Sequence, residues 1–175
     1  MSSDPREQAT PEAASRPAQV ELARTVALNQ LAVRDRSAAE LRRTLARRGV
    51  PDEVATEVLE RLGDAGLVDD AAFASGLAAS RLSYSMRGRH RIRQELAERG
   101  VSREEADQVL SQLDPEAELD AARRFAEKRA RSMSGLERHV AYRRLAGALA
   151  RRGFPAGIVE EVLGEVFAQG GSANL

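Results

Sequence analysis

The side chains able to do chemistry in this sequence of 175 residues are overwhelmingly guanidinium groups. All but one of its 27 basic residues are Arg, the exception being Lys128. They fall in clusters: Arg42, Arg43, Arg47 and Arg48; then Arg89, Arg91, Arg93 and Arg99; then Arg143, Arg144, Arg151 and Arg152. Clustered arginines suit the recognition of phosphates and carboxylates through charge-assisted hydrogen bonds, not the making and breaking of bonds. Because 27 acidic residues match the basic ones, formal net charge is zero. That excludes the global basic field that drives bulk nucleic-acid binding and confines recognition to a local stripe.

Catalytic constellations are missing. His90 and His139 are the only histidines, neither has a serine or carboxylate placed suggestively beside it, and both are expected in solvent. With no Cys, a disulfide framework and a thiolate metal site are both excluded. Gln169-Gly170-Gly171 lacks the Lys and helix that complete a phosphate-cradling loop. Asp69-Asp70 reads as the cap of the helix carrying Phe73 and Leu77, not as a metal pair. Tyr84 and Met86, just before the second cluster, are read as packing residues or a contact point, with packing favoured. The sequence therefore predicts a non-enzyme with no catalytic, cofactor-binding or metal-binding residues. No run approaches the roughly twenty apolar residues that span a bilayer. The start, Met1-Ser-Ser-Asp-Pro-Arg-Glu7, has no apolar segment, so a cytoplasmic protein is expected.

The arginine clusters belong to a repeat. Leu41-Arg-Arg-Thr-Leu45-Ala-Arg-Arg-Gly49 is echoed by Ile92-Arg-Gln-Glu-Leu96-Ala-Glu-Arg-Gly100 and by Leu145-Ala-Gly-Ala-Leu149-Ala-Arg-Arg-Gly153. After each glycine comes a second apolar series: Val54, Val58, Leu59 and Leu62; then Ala106, Val109, Leu110 and Leu113; then Ile158, Val162, Leu163 and Val166. A fixed period of this size marks an array of supersecondary units, each too small to bury enough surface by itself. Ser37-Ala-Ala-Glu40, Ser102-Arg-Glu-Glu105 and Ser134-Gly-Leu-Glu137 match the capping box, and Asp114-Pro115 is a further helix start. Gly49, Gly66, Gly100 and Gly153 stand where helices should stop.

The expected fold is all-α: an elongated, curved array of three tandem three-helix repeats. Its helices are predicted near 20–34, 38–48, 52–65, 70–83, 88–99, 103–112, 116–131, 136–152 and 156–167. The repeats take residues 19–66, 67–113 and 114–168, between a disordered tail at 1–18 and a frayed end at 169–175. Aromatic residues are few, so the core must be Leu, Val and Ala at helical spacing.

The second helix of each repeat is basic and the third acidic. Arg43 and Arg47 are four residues apart, as are Arg89 and Arg93, a spacing at which like charges on a helix repel by a few tenths of a kcal/mol. Repeating that cost in successive units points to a basic stripe along one side of the array. Any single Arg is better read as balanced by the neighbouring acidic helix. The outline also suggests helix-turn-helix, but there the helix after the turn would enter the major groove. Here that helix is the acidic one, so it is unsuited to phosphates.

Taken in order and with their spacing, several of these pieces resemble the RecX regulators of the RecA recombinase. They are Ala27-Leu-Asn-Gln-Leu-Ala-Val-Arg-Asp-Arg-Ser37-Ala-Ala-Glu-Leu41, Leu67-Val-Asp-Asp-Ala-Ala-Phe73-Ala, Arg87-Gly-Arg-His-Arg-Ile-Arg-Gln-Glu-Leu96 through Gly100, and Leu149-Ala-Arg-Arg-Gly-Phe154-Pro. The likeness spans roughly residues 22–167. It implies three tandem three-helix repeats that bind the RecA nucleoprotein filament on single-stranded DNA and inhibit strand exchange, ATP hydrolysis and co-protease activity, within DNA repair, homologous recombination and the SOS response. The partners it implies are RecA and, weakly, single-stranded DNA, met by a monomer that needs no cofactor. Arg42, Arg43, Arg47, Arg89, Arg93, Arg143 and Arg144 are the residues expected to carry the contact. The third repeat has Ala146, Gly147 and Ala148 where the first has Arg42, Arg43 and Thr44, so its basic face is expected to be thinner. The alternative is a general helical DNA-binding protein acting on naked DNA.

Overall fold

A computed structural model describes residues 15–169 of the chain. Among these, nine α-helices follow one another with no strand: α1 (Arg16–Leu31), α2 (Ala38–Arg47), α3 (Asp52–Asp64), α4 (Asp70–Ser83), α5 (Arg89–Glu98), α6 (Arg103–Ser111), α7 (Pro115–Ala130), α8 (Arg138–Arg151) and α9 (Ala156–Gln169). The chain is all-α. It divides into two compact units, one formed by residues 15–73 with Arg99–Val101, the other by 74–98 with 102–169.

In the first unit α1, α2 and α3 pack on one another. Their apolar stripes supply one core: Ala23 and Ala27 from α1, Leu41 and Leu45 from α2, and Val54, Val58 and Leu62 from α3. The capping box at Ser37 is formed: the Glu40 amide donates to Ser37 Oγ at 3.1 Å, and the Ser37 amide donates to Glu40 Oε2 at 3.3 Å. Asp69 and Asp70 divide the labour. Asp69 accepts from the Ala72 amide at 2.9 Å, capping α4 as expected, while Asp70 accepts from the Ala38 amide at 2.8 Å, satisfying an orphan donor of α2. The turn at Gly100 sits on the start of α2: Ser37 Oγ donates to the Arg99 carbonyl at 2.6 Å, and a Cβ at Gly100 would collide with the Ala39 methyl.

In the second unit α7 packs against both α8 and α9, and α5 against α6. Leu96, Leu110, Leu119, Leu145, Leu149 and Val162 are buried there. The Ser102 capping box and the Asp114 cap are both formed, Asp114 accepting from the Glu116 amide at 3.0 Å. The Gly153 turn repeats the Gly100 contact, this time on the start of α5. The Gly88 amide donates to the Arg152 carbonyl at 2.9 Å and the His90 amide to the Gly153 carbonyl at 3.0 Å. Gly153 has φ +87 and backs onto the Arg91 main chain, so both its conformation and its lack of a side chain are required.

Three expectations are corrected. The tail read at 1–18 is already helical from Arg16, with Pro17 in the first turn of α1. The apolar stripe that fixes α1 consists largely of Ala, which is a weak signal in sequence, yet Ala23 and Ala27 are fully buried. The remainder of that tail, like residues 170–175 of the expected frayed end, lies outside the described residues. Ser134 does not open a capping box. The chain continues past α7 as a 3-10 turn, Arg131–Met133, anchored by buried Met133, and α8 begins later with Glu137 at the N-cap and no side-chain cap bond. Tyr84 does not pack: it is 86% exposed, on a turn where Met86 has φ +48.

Candidate partner interface

The residues expected to meet a partner are placed by the second helix of each repeat, and the structure gives them different tasks. In the first repeat Arg42 lies against α3, its Nη1 donating to Asp52 Oδ1 at 2.7 Å and to Thr56 Oγ1 at 3.0 Å. Arg43 and Arg47 are exposed, and Arg47 donates to Thr44 Oγ1 at 2.9 Å. Close by, Glu40 gathers Arg34 at 2.7 Å and Arg99 at 3.3 Å. Burial by itself would raise the Glu40 pKa. The Arg34 hydrogen bond, the Ser37 amide and the two positive charges outweigh it and hold the carboxyl below the usual carboxylate range.

In the second repeat the arginines are more deeply committed. Arg93 holds the same repeat position as Arg42, and its Nε donates to Asp107 Oδ1 of α6 at 2.7 Å. Arg89 serves the fold. Its Nε donates to Glu118 Oε2 at 2.6 Å and its backbone amide to Glu118 Oε1 at 2.7 Å. Glu118 is fully buried, so this α7 carboxylate both pairs the arginine and caps the start of α5. Glu95 was not singled out by sequence, yet it is buried and takes Arg81 at 2.8 Å and Arg87 at 2.6 Å. The Glu95 hydrogen bond raises the Arg81 pKa above its already high value, so the guanidinium stays charged. A signal existed: Glu95 lies between Ile92 and Leu96 on the apolar side of its helix, where a carboxylate requires partners.

The third repeat differs again. Its acidic helix, α9, gives Glu161 and Glu165 to Arg123 of α7, at 3.8 and 2.8 Å. Arg123 also holds Glu116 and Asp120 at 3.1 Å each. The bond to Arg123 pulls the Glu165 carboxyl below its ordinary pKa. At the position of Arg42 and Arg93 this repeat has Ala146. Arg143 and Arg144, one turn earlier on α8, are exposed, and among the described residues no carboxylate reaches either of them. Arg152 turns inward, its guanidinium 4.7 Å from the Phe125 ring centroid and its Nη1 donating to the Ser85 carbonyl.

His90 and His139 are exposed, and His139 Nδ1 lies 3.3 Å from Glu137. No group of three His, Cys, Asp or Glu among the described residues could hold a metal ion, and no helix among them is long and apolar enough to cross a membrane. Fold and site together define a tandem array of three-helix domains that presents charged helix faces.

Comparison with known proteins supplies the particular family. Three family models match in order: the RecX first three-helix domain over residues 23–62, the second over 69–110 and the third over 116–163. The Regulatory protein RecX of Mycobacterium avium (strain 104) is 38% identical over 162 residues, covering 91% of this chain and 93% of that protein. That of Streptomyces coelicolor is 36% identical over 152 residues, covering 87% and 81%. The crystal structure of RecX from Lactobacillus salivarius superposes with a TM-score of 0.80 at 20% identity, over 87% of this chain and 99% of that one, which bears on the fold alone. The chain belongs to the RecX family of regulatory proteins.

Proposed function

We propose that this chain is a regulator of the RecA recombinase, binding the RecA filament on single-stranded DNA and restraining strand exchange, ATP hydrolysis and co-protease activity. The observation that carries this reading is the ordered match of all three RecX domains, together with relatives named as regulatory proteins along nearly their whole length. The chain acts by binding, as a cytoplasmic monomer without a cofactor. Of the seven expected contact arginines, the exposed set (Arg43, Arg47, Arg143 and Arg144) meets the partner, while Arg42, Arg89 and Arg93 hold the helices that present them.

The test is RecA's DNA-dependent ATPase as the protein is titrated in. Inhibition far below equimolar amounts supports regulation from filament ends. Inhibition only near equimolar amounts supports coating of the filament. No inhibition, with naked DNA still bound at physiological salt, removes the reading in favour of a general DNA-binding protein. That second reading is favoured by one observation, the pair of exposed arginines on α8 that no carboxylate among the described residues reaches.

A further inference from the structure

We propose that Tyr84, on the turn between α4 and α5, is an anchor that inserts into an apolar cleft of a protein partner. Under the proposed function, on which this rests, that protein is a subunit of the RecA filament.

The ring is left out of the fold. Tyr84 keeps 86% of its surface exposed, against 44% for Tyr142, whose ring lies 5.4 Å from that of Phe167. An exposed aromatic on a loose loop would mean little, but this turn is held firmly. The Tyr84 amide donates to the Ser80 carbonyl at 3.0 Å, the Arg87 amide to the Arg81 carbonyl at 3.0 Å and the Gly88 amide to the Arg152 carbonyl at 2.9 Å. Two guanidinium groups clamp the carbonyls on either side of the tyrosine. Arg124 Nη1 donates to Ser83 at 3.3 Å and Arg152 Nη1 to Ser85 at 2.9 Å. Met86 sits at φ +48, a left-handed conformation that a residue other than Gly keeps only where its surroundings enforce it. The turn therefore presents the ring from a fixed backbone, and a partner loses little entropy in ordering it.

Charge separates a protein cleft from a nucleic-acid base. Surfaces that stack bases set their aromatic rings in a cationic groove that tracks the phosphates. Around this turn the cations are already engaged. Arg81 and Arg87 hold Glu95, Arg89 holds Glu118, and Arg124 and Arg152 hold the turn itself. Asp120 and Glu127 line the hollow beside Ser83, where they would repel a phosphate. A tyrosine with engaged cations and carboxylates for neighbours fits a cleft that is apolar around the ring and offers an acceptor to the phenol.

The experiment irradiates full-length chain carrying Tyr84→p-benzoylphenylalanine with RecA filaments on oligo(dT). Val33→p-benzoylphenylalanine, at an exposed apolar residue of the first repeat, is the control. The proposal expects a RecA adduct from position 84, little from position 33, and no DNA adduct from position 84. In parallel, Y84A should raise the amount of protein needed to half-inhibit the RecA ATPase about tenfold or more, the scale of an interface hot spot, and Y84F less than about threefold. Both variants should keep the native urea midpoint and the native affinity for naked oligo(dT). An adduct with the DNA would overturn the proposal in favour of base stacking, and an adduct between two copies of the chain in favour of self-association. A Y84A protein that is less stable would make the ring a structural element instead. If the native chain inhibits RecA and Y84A inhibits equally well, the proposal falls and the regulator reading stands. If the native chain neither binds nor inhibits the filament, the regulator reading falls and takes the proposal with it.

Discussion

The second helix of the first repeat and its counterpart in the third carry similar arginine clusters and use them in opposite ways. On α2, Arg42 is spent inside the repeat, against Asp52 and Thr56. On α8 the position of Arg42 is Ala146, and Arg143 and Arg144, about one turn earlier, stay in solvent with no carboxylate in reach among the described residues. A cluster that looks thinner by composition keeps as many exposed arginines as the fuller one, Arg143, Arg144 and Arg151 against Arg43, Arg47 and Arg48. Counting charges along a repeat measures how many there are, but their availability depends on which neighbour reaches them first.

The comparison can be broken most forcefully at Glu118. Removing a buried partner strands its cation, and breaking such a pair costs about 3–5 kcal/mol. E118A should lose about 3 kcal/mol, the lower end, because Arg89 can still turn toward water. E118Q should recover part of that by keeping an acceptor for the Arg89 amide. Urea unfolding midpoints check both, and an E118A protein as stable as the native one would remove Arg89 from the fold's supports.

The glycine turns come next. G153A combines a left-handed backbone with a collision against Arg91 and should cost about 2–3 kcal/mol, more than the roughly 1–2 kcal/mol of the conformation alone. G66A has φ +69 but nothing within 4 Å of a new Cβ, so it should cost about 1 kcal/mol. Equal costs would show that the Gly153 contact contributes nothing.

Acid should weaken the first unit through Glu40. Its carboxyl sits below the unfolded value near 4.5. Its contribution is therefore complete above that pH and is lost as pH falls through the lower folded value. E40Q should be less stable than the native chain at pH 7, and the gap should close between about pH 4.5 and the lower folded value. A gap that stays constant by circular dichroism down to pH 2 would mean the charge of Glu40 is irrelevant.

The smallest effect sharpens the comparison most directly. R42A and R93A each break an internal ion pair that is partly exposed and should cost about 0.5–1 kcal/mol. R143A/R144A should change stability by less than about 0.5 kcal/mol, since among the described residues no partner is bonded to these side chains. A larger loss would reveal an internal partner and return α8 to the same class as α2.

Much of the architecture was legible before any coordinates. Apolar spacing, the caps at Ser37, Ser102 and Asp114, and the glycines that end α2, α5 and α8 are local signals, each satisfied by residues within about one helical turn. They placed most helix ends within a few residues. The start of α1 escapes the pattern because Arg16-Pro17-Ala18-Gln19 carries no large apolar residue. The start of α8 was missed because a buried Met133 carries the chain past a sequence-perfect capping box. The candidate site was half legible: the arginines could be listed, but not sorted.

What the sequence determined by itself was the repeated helix pattern and the charge of each face, because both follow from backbone capping and from side chains three and four residues apart. What only the tertiary structure decided was which arginine meets which carboxylate. A guanidinium sits at the end of a long flexible side chain and chooses among acids brought near by packing, Glu118 from 29 residues away for Arg89 and Glu165 from 42 for Arg123. Those choices are invisible at short range, as is the placing of Arg143 and Arg144 of α8, which stay exposed with no carboxylate in reach among the described residues.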